Sequence, residues 1–275
     1  MNIKKIIIPV LLFCVAIVSL CSCQLSETQE KIETESKLPE LKIGVDRLKP
    51  FFYVDENGEY KGIDAEIAKE ACKRAGYRPD FVEISWGDRD DYLQEGSIDC
   101  LWSAFIKNGR ESDYQWTDSY MQSNLRAIVD LKSPDKSLST LKGHGGIAVR
   151  AGSKIESILL NDSENQPTIQ IYSCETFEMA ETAFIKGYAA ALGGHEAVLQ
   201  QIINSYPGLY RFLDGNIITA DIGVAFSKAD TSEHCEKINK ALNEMKKDGT
   251  VKKIEKKYTS DTASDMEEVA ANEKK

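Results

Sequence analysis

The sequence predicts an α/β fold in two halves, each with a mostly parallel sheet and helices on its faces. Short apolar runs of strand length alternate with segments in which apolar residues recur at helical spacing. This alternation is typical of parallel sheets, because a helix returns the chain to start the next strand in the same direction. It occurs in two series, and 275 residues are enough for two modest domains.

The first series of elements lies between residues 41 and 102. Asp64 is predicted to cap the first helix, which ends at Gly76 because glycine favours the left-handed conformation of a helix end. Gly96 is predicted to end the second helix in the same way. In order, the predicted elements are strand 41–45, helix 64–75, strand 81–84, helix 88–95 and strand 98–102.

The second series lies between residues 147 and 247. Ser153 and Glu156 have the spacing of a capping box, in which each side chain satisfies an amide at the helix start. Ser232 is predicted to cap the last helix, which Gly249 closes. In order, the predicted elements are strand 147–150, a helix from 153, strand 168–172, helix 176–186, strand 189–192, strand 222–226 and helix 233–247.

Composition excludes several classes of protein and partner. Hydrophobic residues make up 42% of the chain, which is enough for a core, so disorder throughout is excluded. The net charge of −10 makes nucleic acid a poor partner. No spacing among the three histidines and the cysteines resembles a zinc site, and we expect neither a metal nor a cofactor. We expect four cysteines of the body to be buried free thiols: Cys72, Cys100, Cys174 and Cys235.

The first residues have the features of an export signal. Lys4 and Lys5 precede an uncharged run, 6–20, which leads into Leu20-Cys21-Ser22-Cys23. That ending resembles the lipobox of bacterial lipoproteins, which implies that Cys23 becomes the first mature residue and that its thiol carries a diacylglycerol. Cys21 fits less well, because a bulky leucine precedes it. The alternative is an uncleaved membrane anchor, for which the apolar stretch is only marginally long.

The ends of the chain are therefore divided as follows. Residues 1–22 are a predicted signal peptide, residues 23–39 a flexible polar tether, and residues 261–275 a disordered tail. We expect a monomer at the extracytoplasmic face of the cell membrane, held there by its lipid.

Several stretches of the body carry motifs in a fixed order. They are LKIGVDRLKPFFYVDENGEYKGIDAEIAKEA, SWGDRDDYLQEGSIDCLWSAFIKNGRE, WTDSY, DIGVAFSK and ALNEMKKDGTVKKIEKKY. The first pairs a strand with Pro-Phe, an Asn-Gly turn and Gly-hydrophobic-Asp, and the last ends in Gly-Thr and a basic-aromatic segment. Together they resemble the bacterial family 3 solute-binding proteins, the extracytoplasmic receptors of polar amino-acid ABC importers. The resemblance covers residues 41 to 258.

The resemblance implies a type II periplasmic-binding-protein fold, in which two crossing strands join two α/β lobes around a ligand cleft. Lobe one would comprise residues 40–130 plus 222–260, and lobe two residues 131–221. A cleft site agrees with physical expectation, because ligands of open α/β sheets lie beyond the carboxyl ends of the strands. The implied partners are a small amino acid or derivative and the permease of an ABC transporter.

The resemblance also assigns ligand contacts to four polar residues. Arg110 matches the arginine that grips the ligand α-carboxylate, for which a planar guanidinium offers two parallel hydrogen bonds. Ser103 matches a serine that faces the ligand, and Ser153 the helix start whose amides meet the carboxylate. Asp46 follows the first strand, where several members place an acid toward the ligand side chain. Without the resemblance these would be a surface arginine, a turn serine, a helix cap and a loop acid.

Four aromatic residues are candidate walls of the pocket: Phe51, Phe52, Trp86 and Trp102. Packing in the core is the commoner fate of such side chains. Trp102, at the carboxyl end of a predicted strand, is the strongest of the four, and Phe51 is retained beside it as a ligand contact.

The largest departure from the family falls at His195. The family pattern Gly-x-x-Asp-Ala-x-x-x-Asp starts here at Gly187, its first Asp is Ala190, and its second, which pairs with the ligand ammonium, is His195. We expect His195 to contact the ligand and to change charge in mild acid, because an ordinary histidine titrates near about 6.5. Without that Asp, the expected ligands include an amino-acid derivative, a peptide-like fragment and a carboxylate with no free amine. The alternative is a turn histidine without ligand contact.

Three functions are compatible with these residues. The favoured one is a membrane-tethered binding protein that delivers a small amino-acid-like solute to an ABC importer. The second is an enzyme on the same scaffold, such as a dehydratase, in which His195 and Glu196 beside an arginine would act as an acid–base pair. No nucleophile–base arrangement stands out, and we predict no catalytic residue. An extracellular sensor would need a transmembrane helix and a signalling domain, and we expect neither.

Overall fold

A computed structural model describes residues 38–141, 143, 145–161 and 169–259. The predicted signal peptide 1–22, Cys23, the tether up to residue 37 and the predicted tail 261–275 lie outside the described residues. Within the described part, no helix is long and apolar enough to cross a membrane.

Strands and helices alternate along the described chain, as the hydrophobic pattern predicts. The strands are β1 (Glu40–Val45), β2 (Tyr53–Val54), β3 (Tyr60–Lys61), β4 (Arg78–Glu83), β5 (Cys100–Leu101), β6 (Gln115–Trp116), β7 (Met121–Asp130), β8 (Ile147–Arg150), β9 (Ile171–Cys174), β10 (Ala191–His195), β11 (Tyr210–Phe212), β12 (Ile218–Ile222) and β13 (Ala225–Phe226). The α-helices are α1 (Ile63–Ala75), α2 (Arg89–Gln94), α3 (Lys154–Asn161), α4 (Phe177–Ile185), α5 (Glu196–Ser205), α6 (His234–Lys247) and α7 (Thr250–Thr259).

Two larger sheets organise these elements. The first has the strand order β4-β1-β5-β13-β6, with β1 parallel to β4 and β5, and with β13 antiparallel to β5 and β6. The second has the order β11-β7-β10-β8-β9, and β12 also pairs with β7. There β8 is parallel to β9 and β10, whereas β7 is antiparallel to its partners. The parallel pairs are those that follow the strand–helix–strand alternation, and the antiparallel strands complete each sheet.

The chain passes between the sheets along a pair of strands. β7 leaves the first sheet after β6, and β12 returns to it before β13. The two strands pair antiparallel from Met121–Ile222 to Leu125–Ile218. Side chains reinforce the pair, because Thr219 Oγ1 donates to Asn124 Oδ1 at 2.7 Å. This ribbon is the described connection between the two sheets.

Helices cover the sheets with their apolar faces. α1 buries Ile63, Ile67 and Ala71, and packs on β4 and on α6 and α7. On the second sheet, α4 packs against β8, β9 and β10, and α5 against β7 and β10. Gly193 in β10 allows close approach of α3, because an added Cβ would lie 2.5 Å from Ile155 Cδ1. The apolar spacing in the sequence therefore describes the core correctly.

The prediction that Asp64 caps α1 is wrong. The cap residue is Gly62, whose φ of 118° and closeness to the Phe51 carbonyl leave no room for a side chain. Asp64 is the second residue of the helix and is buried. Its carboxylate is occupied elsewhere, as described for the cleft.

The four cysteines of the body are free thiols in the structure. Three of them are buried, and Cys174 is half-buried. Burial raises the pKa of the Cys72 thiol to about 12, so the thiolate needed for disulfide exchange is scarce at neutral pH.

Candidate functional site

A narrow cavity lies between the two sheets. Its free volume is about 30 Å³ in this closed arrangement, which is roughly the space of one water molecule. Both halves of the chain contribute to its wall. The lining residues are Leu48, Trp86, Ala104, Phe105, Ile106, Arg110, Leu125, Arg150, Gly152, Ser153, Lys154, Ile155, Phe177, Gly193, Gly194 and His195.

Arg110 reaches across this cavity. Its Nη2 donates to the Gly152 carbonyl at 3.2 Å and its Nη1 to the Ile106 carbonyl at 3.4 Å. The guanidinium lies 5.3 Å from the centre of the Phe105 ring. Burial lowers the pKa of Arg110, with a smaller contribution from the nearby Arg89 charge. Both carbonyl contacts are long, and no described carboxylate forms an ion pair with Arg110, so it is free to take a ligand carboxylate.

Arg150 is a cleft residue that the sequence analysis does not identify. It ends β8 and forms an ion pair with Asp46, which follows β1, so this pair joins the two sheets across the cleft. The guanidinium is buried and lies 5.0 Å from the centre of the Trp86 ring. Burial raises the pKa of Asp46, and the Arg150 charge opposes that rise. A charged residue at the end of the otherwise apolar β8 is the signal that points to Arg150.

Ser103 positions Asp46 and does not line the cavity. Its hydroxyl donates to the Asp46 carbonyl at 2.9 Å and accepts from the Asp46 amide at 3.3 Å. Ser103 is fully buried. Ser103 therefore holds the backbone of Asp46, which pairs with Arg150, and its side chain does not face the cavity as the sequence analysis expects.

Three of the four aromatic candidates, Phe51, Phe52 and Trp102, lie in the core. Trp102 is 1% exposed, packs 6.0 Å from the Tyr120 ring centre, and is absent from the cavity wall. Phe51 is also buried and contacts the His195 ring edge-on at 5.2 Å. Trp86 is the tryptophan that lines the cavity. The side chain of Trp102 faces the core because its amide continues the ladder beside β1, donating to the Gly44 carbonyl at 3.0 Å.

Ser153 lines the cavity at the start of α3 and also caps the helix. Its Oγ accepts from the Glu156 amide at 3.3 Å, which is the predicted half of the capping box. Glu156 instead reaches one residue further back and accepts from the Gly152 amide at 2.7 Å. The helix start thus faces the cavity with its amides partly occupied.

His195 ends β10 in the cavity wall, but it does not titrate as expected. Its Nδ1 lies 2.9 Å from Ser123 Oγ, and the residue is 9% exposed. Burial, together with the Arg150 charge, lowers its pKa to about 3. The ring is therefore neutral throughout the mildly acidic range, and the expectation that it switches charge there is wrong.

Glu196 points away from the cavity. Its carboxylate accepts from Asn124 Nδ2 and pairs with Arg126 Nη1, both at 2.7 Å. It lines a separate groove on the other side of the crossing strands. His195 and Glu196 therefore do not form an acid–base pair in the cleft.

Asp64 holds the loop that leads to Arg110. Its Oδ2 accepts from the Ala104 amide at 2.5 Å, and its Oδ1 accepts from the Tyr120 hydroxyl at 2.6 Å. Ala104 has a φ of 49°, a conformation that alanine rarely adopts. Burial raises the pKa of Asp64 to about 6, while these hydrogen bonds oppose the rise. The motif Gly-Ile-Asp marks the residue, but periodicity alone assigns it to a helix cap.

The geometry of the cleft suits the capture of a small anion by two halves that close. Arg110, Arg150 and the start of α3 converge on the same space from opposite sheets. No group of three His, Cys, Asp or Glu residues in the described ranges is placed to hold a metal ion. The chemistry available is hydrogen bonding and charge pairing, with aromatic contact from Trp86 and Phe105.

Comparison with known proteins gives the same picture over most of the chain. Residues 41–261 match the family described as bacterial extracellular solute-binding proteins, family 3. The probable amino-acid-binding protein YxeM of Bacillus subtilis is 27% identical over 213 residues, covering 76% of this chain and 79% of YxeM. The histidine-binding periplasmic protein of Salmonella typhimurium is 29% identical over 238 residues, covering 79% of this chain and 86% of that protein. Among solved structures, an ancestral arginine-binding protein bound to arginine is similar with a TM-score of 0.73 and 28% identity, covering 80% of this chain and 97% of that one.

Proposed function

Because the chain belongs to family 3 of the bacterial extracellular solute-binding proteins, we propose that it captures a small amino-acid-like solute and delivers it to an ABC importer. The two sheets and their helices act as the two lobes. Their bounds differ from the predicted 40–130 plus 222–260 and 131–221 at the first crossing, because β7 (Met121–Asp130) pairs with β10 in the second sheet. The solute binds in the cavity between them, and the permease recognises the closed form.

The observation that carries this proposal is the placement of Arg110. It projects from the first half of the chain and touches the Gly152 carbonyl of the second. A ligand carboxylate between Arg110 and the start of α3 would replace this weak contact with charged hydrogen bonds to both halves. Such a ligand favours the closed arrangement, because an open cleft offers it only one set of contacts.

The crossing strands supply the motion that capture requires. β7 and β12 are the described segments that run between the sheets. Opening bends this ribbon and separates Arg150 from Asp46, the ion pair that spans the cleft. Closure restores the pair, so the protein alternates between the two arrangements without unfolding either sheet.

The alternative of an enzyme on this scaffold gains no support from the cleft. Its hypothesis depends on His195 and Glu196 acting together. Glu196 is bound to Arg126 and Asn124 outside the cavity, and His195 is buried against Ser123. His195 lines the cavity, but Glu196 does not, so the two residues cannot act as a pair on a ligand beside Arg110.

We extend the proposal to the membrane anchor. Cys23 lies outside the described residues, and the support for its lipidation is the sequence Leu20-Cys21-Ser22-Cys23 after an apolar run. A lipid on Cys23, followed by a polar tether, would keep the binding lobes beside the permease at the extracytoplasmic surface.

A thermal-shift screen of the full chain tests the proposed function. The panel holds L-amino acids, small peptides and organic acids. A ligand at 100 times its Kd stabilises the folded protein by about 2.7 kcal/mol, which raises the Tm of a chain of this size by roughly 5–10 °C. If no compound in the panel raises the Tm, the proposed function is contradicted.

A further inference from the structure

The cavity wall carries positive charge and no described carboxylate. Arg110, Arg150 and Lys154 line it, and none of the other described lining residues is acidic. Arg150 is neutralised by Asp46 across the cleft. Arg110 and Lys154 have no ion-pair partner among the described residues, which leaves two unbalanced positive charges on one small cavity.

The nearest acids are occupied or point outward. Glu156 accepts the Gly152 amide, and Asp90, beside Arg89, accepts the Tyr114 hydroxyl. Glu178 and Glu111 are exposed. None of these four carboxylates lines the cavity. These four carboxylates reduce the positive potential of the cavity, but none of them forms an ion pair with Arg110 or Lys154.

The two unbalanced cations face each other from opposite sheets. Arg110 Nη2 is 3.2 Å from the carbonyl of Gly152, two residues before Lys154. Lys154 Nζ lies against Gly109, where an added Cβ would be 2.8 Å away. Because Gly109 directly precedes Arg110, the two charges meet at the same end of the cleft. Arg150 lies at a second position, beside Trp86.

A ligand ammonium would find few acceptors here. An ammonium group carries three donors, and without acceptors it is costly to bury. The Gly152 and Ile106 carbonyls are neutral acceptors, and no described carboxylate lines the cavity to pair with the ammonium charge. The neutral ring of His195 stands beside the Arg150 charge and is bound to Ser123. A zwitterion has no net charge, so its ammonium would cancel the charge that its carboxylate brings and the wall would keep its unbalanced positive charge.

We propose that the ligand of this cleft carries two anionic groups and no free ammonium group, a small dicarboxylate in the simplest case. This inference rests on the proposed function, because it concerns the solute of the same cavity. One carboxylate lies between Arg110 and Lys154. The other approaches Arg150 in competition with Asp46, and its chain packs on Trp86.

Matched pairs of ligands test the inference by calorimetry on the full chain. Succinate is compared with L-aspartate, and glutarate and N-acetyl-L-glutamate are compared with L-glutamate. Succinate and glutarate share the carbon skeleton of their amino acids and lack only the ammonium, whereas N-acetyl-L-glutamate keeps the nitrogen as an uncharged amide. We expect the compounds without the ammonium to bind at least about tenfold more tightly, a difference of about 1.4 kcal/mol.

A lysine variant tests the second positive charge. Lys154→Gln should weaken dicarboxylate binding by about tenfold or more, and Lys154→Arg should retain most of the affinity. Arg78→Gln is the control of equal charge change, because Arg78 pairs with Glu40 at the far end of β1 and β4 and does not line the cavity.

The outcomes separate this inference from the proposed function. If L-aspartate or L-glutamate binds more tightly than its partner without the ammonium, the inference is overturned and the proposed function stands. An unchanged dicarboxylate affinity in Lys154→Gln also overturns it. If only a small peptide binds, the inference is overturned and the proposed function stands. If no compound of the thermal-shift panel binds, both fail.

Discussion

The surroundings of His195 determine its protonation state. The ring lies between Phe51 and Ser123, near the charge of Arg150. Burial penalises the charged form, and the neighbouring guanidinium adds to that penalty. The folded protein therefore holds His195 neutral, whereas in the unfolded chain it protonates at its ordinary value of 6.5.

This difference predicts how stability depends on pH. The stability that depends on a neutral His195 is fully present above pH 6.5 and is lost as the pH falls from 6.5 toward about 3. Between pH 7.5 and 5.5 the loss due to His195 is about 1.4 kcal/mol. Urea unfolding of the wild type and of His195→Asn at both pH values measures this loss of unfolding free energy. Asparagine is chosen because its side chain stays uncharged over this range.

The comparison between these two proteins also removes the contribution of Asp64. The pKa of Asp64 is raised to about 6, so its contribution grows as the pH falls and is lost as the pH rises through 6. Both proteins share it, and the difference between them reports His195 alone. If that difference is the same at pH 7.5 and 5.5, His195 is not held neutral by the fold.

At the scale of single residues, the sequence could predict some polar residues of the cavity wall, but it does not identify Arg150 or Lys154 and places most of the aromatic candidates wrongly. Arg110, Ser153 and His195 all line the cavity, as does the weaker candidate Trp86, and these placements agree with the proposed ligand contacts. Trp102 turns into the core, because alternate side chains of a strand face opposite sides and a shift of one residue decides the face. Lys154 could not be found from periodicity, because the hydrophobic pattern locates the apolar face of a helix and does not distinguish one lysine beside it from another.

Among the elements, α1 has the widest influence on the site. Through Asp64 it holds the Ala104 amide, which precedes the Arg110 turn, and the Tyr120 hydroxyl, which precedes β7. One buried carboxylate thus fixes both the loop that carries the ligand arginine and the entry to a crossing strand.

Removing this carboxylate should destabilise the fold. Asp64→Ala leaves a buried amide and hydroxyl without their acceptor, and each such loss costs about 1–3 kcal/mol. We expect the free energy of unfolding to fall by roughly 2–4 kcal/mol. Denaturant unfolding measures it, with Asp91→Ala, at an exposed position of α2, as control.

A second substitution makes this prediction specific. Tyr120→Phe removes the hydroxyl that Asp64→Ala would leave unpaired. The double variant should therefore lose less stability than the sum of the single variants, by about 1 kcal/mol. Strictly additive losses would contradict a direct role of the Asp64–Tyr120 hydrogen bond.

Element boundaries show where local pattern gives way to tertiary structure. The predicted strand 222–226 is two strands, β12 and β13, because Ile222 pairs with Met121 of the crossing ribbon whereas Ala225 pairs with Leu101 and Trp116 of the first sheet. The change of partner happens within three residues, which no hydrophobic period can reveal. The observed bounds of α4 and α6 lie close to the predicted ones, because the apolar residues at helical spacing determine where each helix begins and ends.

For the whole molecule, the two-halved architecture follows from the sequence and the cleft contacts do not. The alternation in two series predicts two α/β units, and two sheets are present. Contacts that bridge them, such as the Asp46–Arg150 pair, join residues that are 104 positions apart. Neither hydrophobic period nor local spacing carries information at that distance.

The attachment of the molecule to the membrane is testable at the same scale. If Cys23 carries the lipid, Cys23→Ala should release the protein from the membrane fraction or block processing of the precursor. Cys21→Ala is the matched control and should leave both unchanged. Fractionation with detection of the full chain distinguishes them, and release by Cys21→Ala alone would show that Cys23 is the wrong residue.

The central claim, that the cavity between the sheets is the ligand site, is tested most directly by the affinity of Arg110→Ala. The ligand is whichever solute raises the Tm most, and calorimetry gives its Kd for the wild type, for Arg110→Ala and for the control Arg78→Ala. Truncating one member of a buried charged pair costs about 2–5 kcal/mol, and each 1.4 kcal/mol is tenfold, so Arg110→Ala should bind at least about tenfold more weakly. Arg78→Ala should match the wild type. Equal affinity for all three folded proteins would contradict the account and place the ligand outside this cleft.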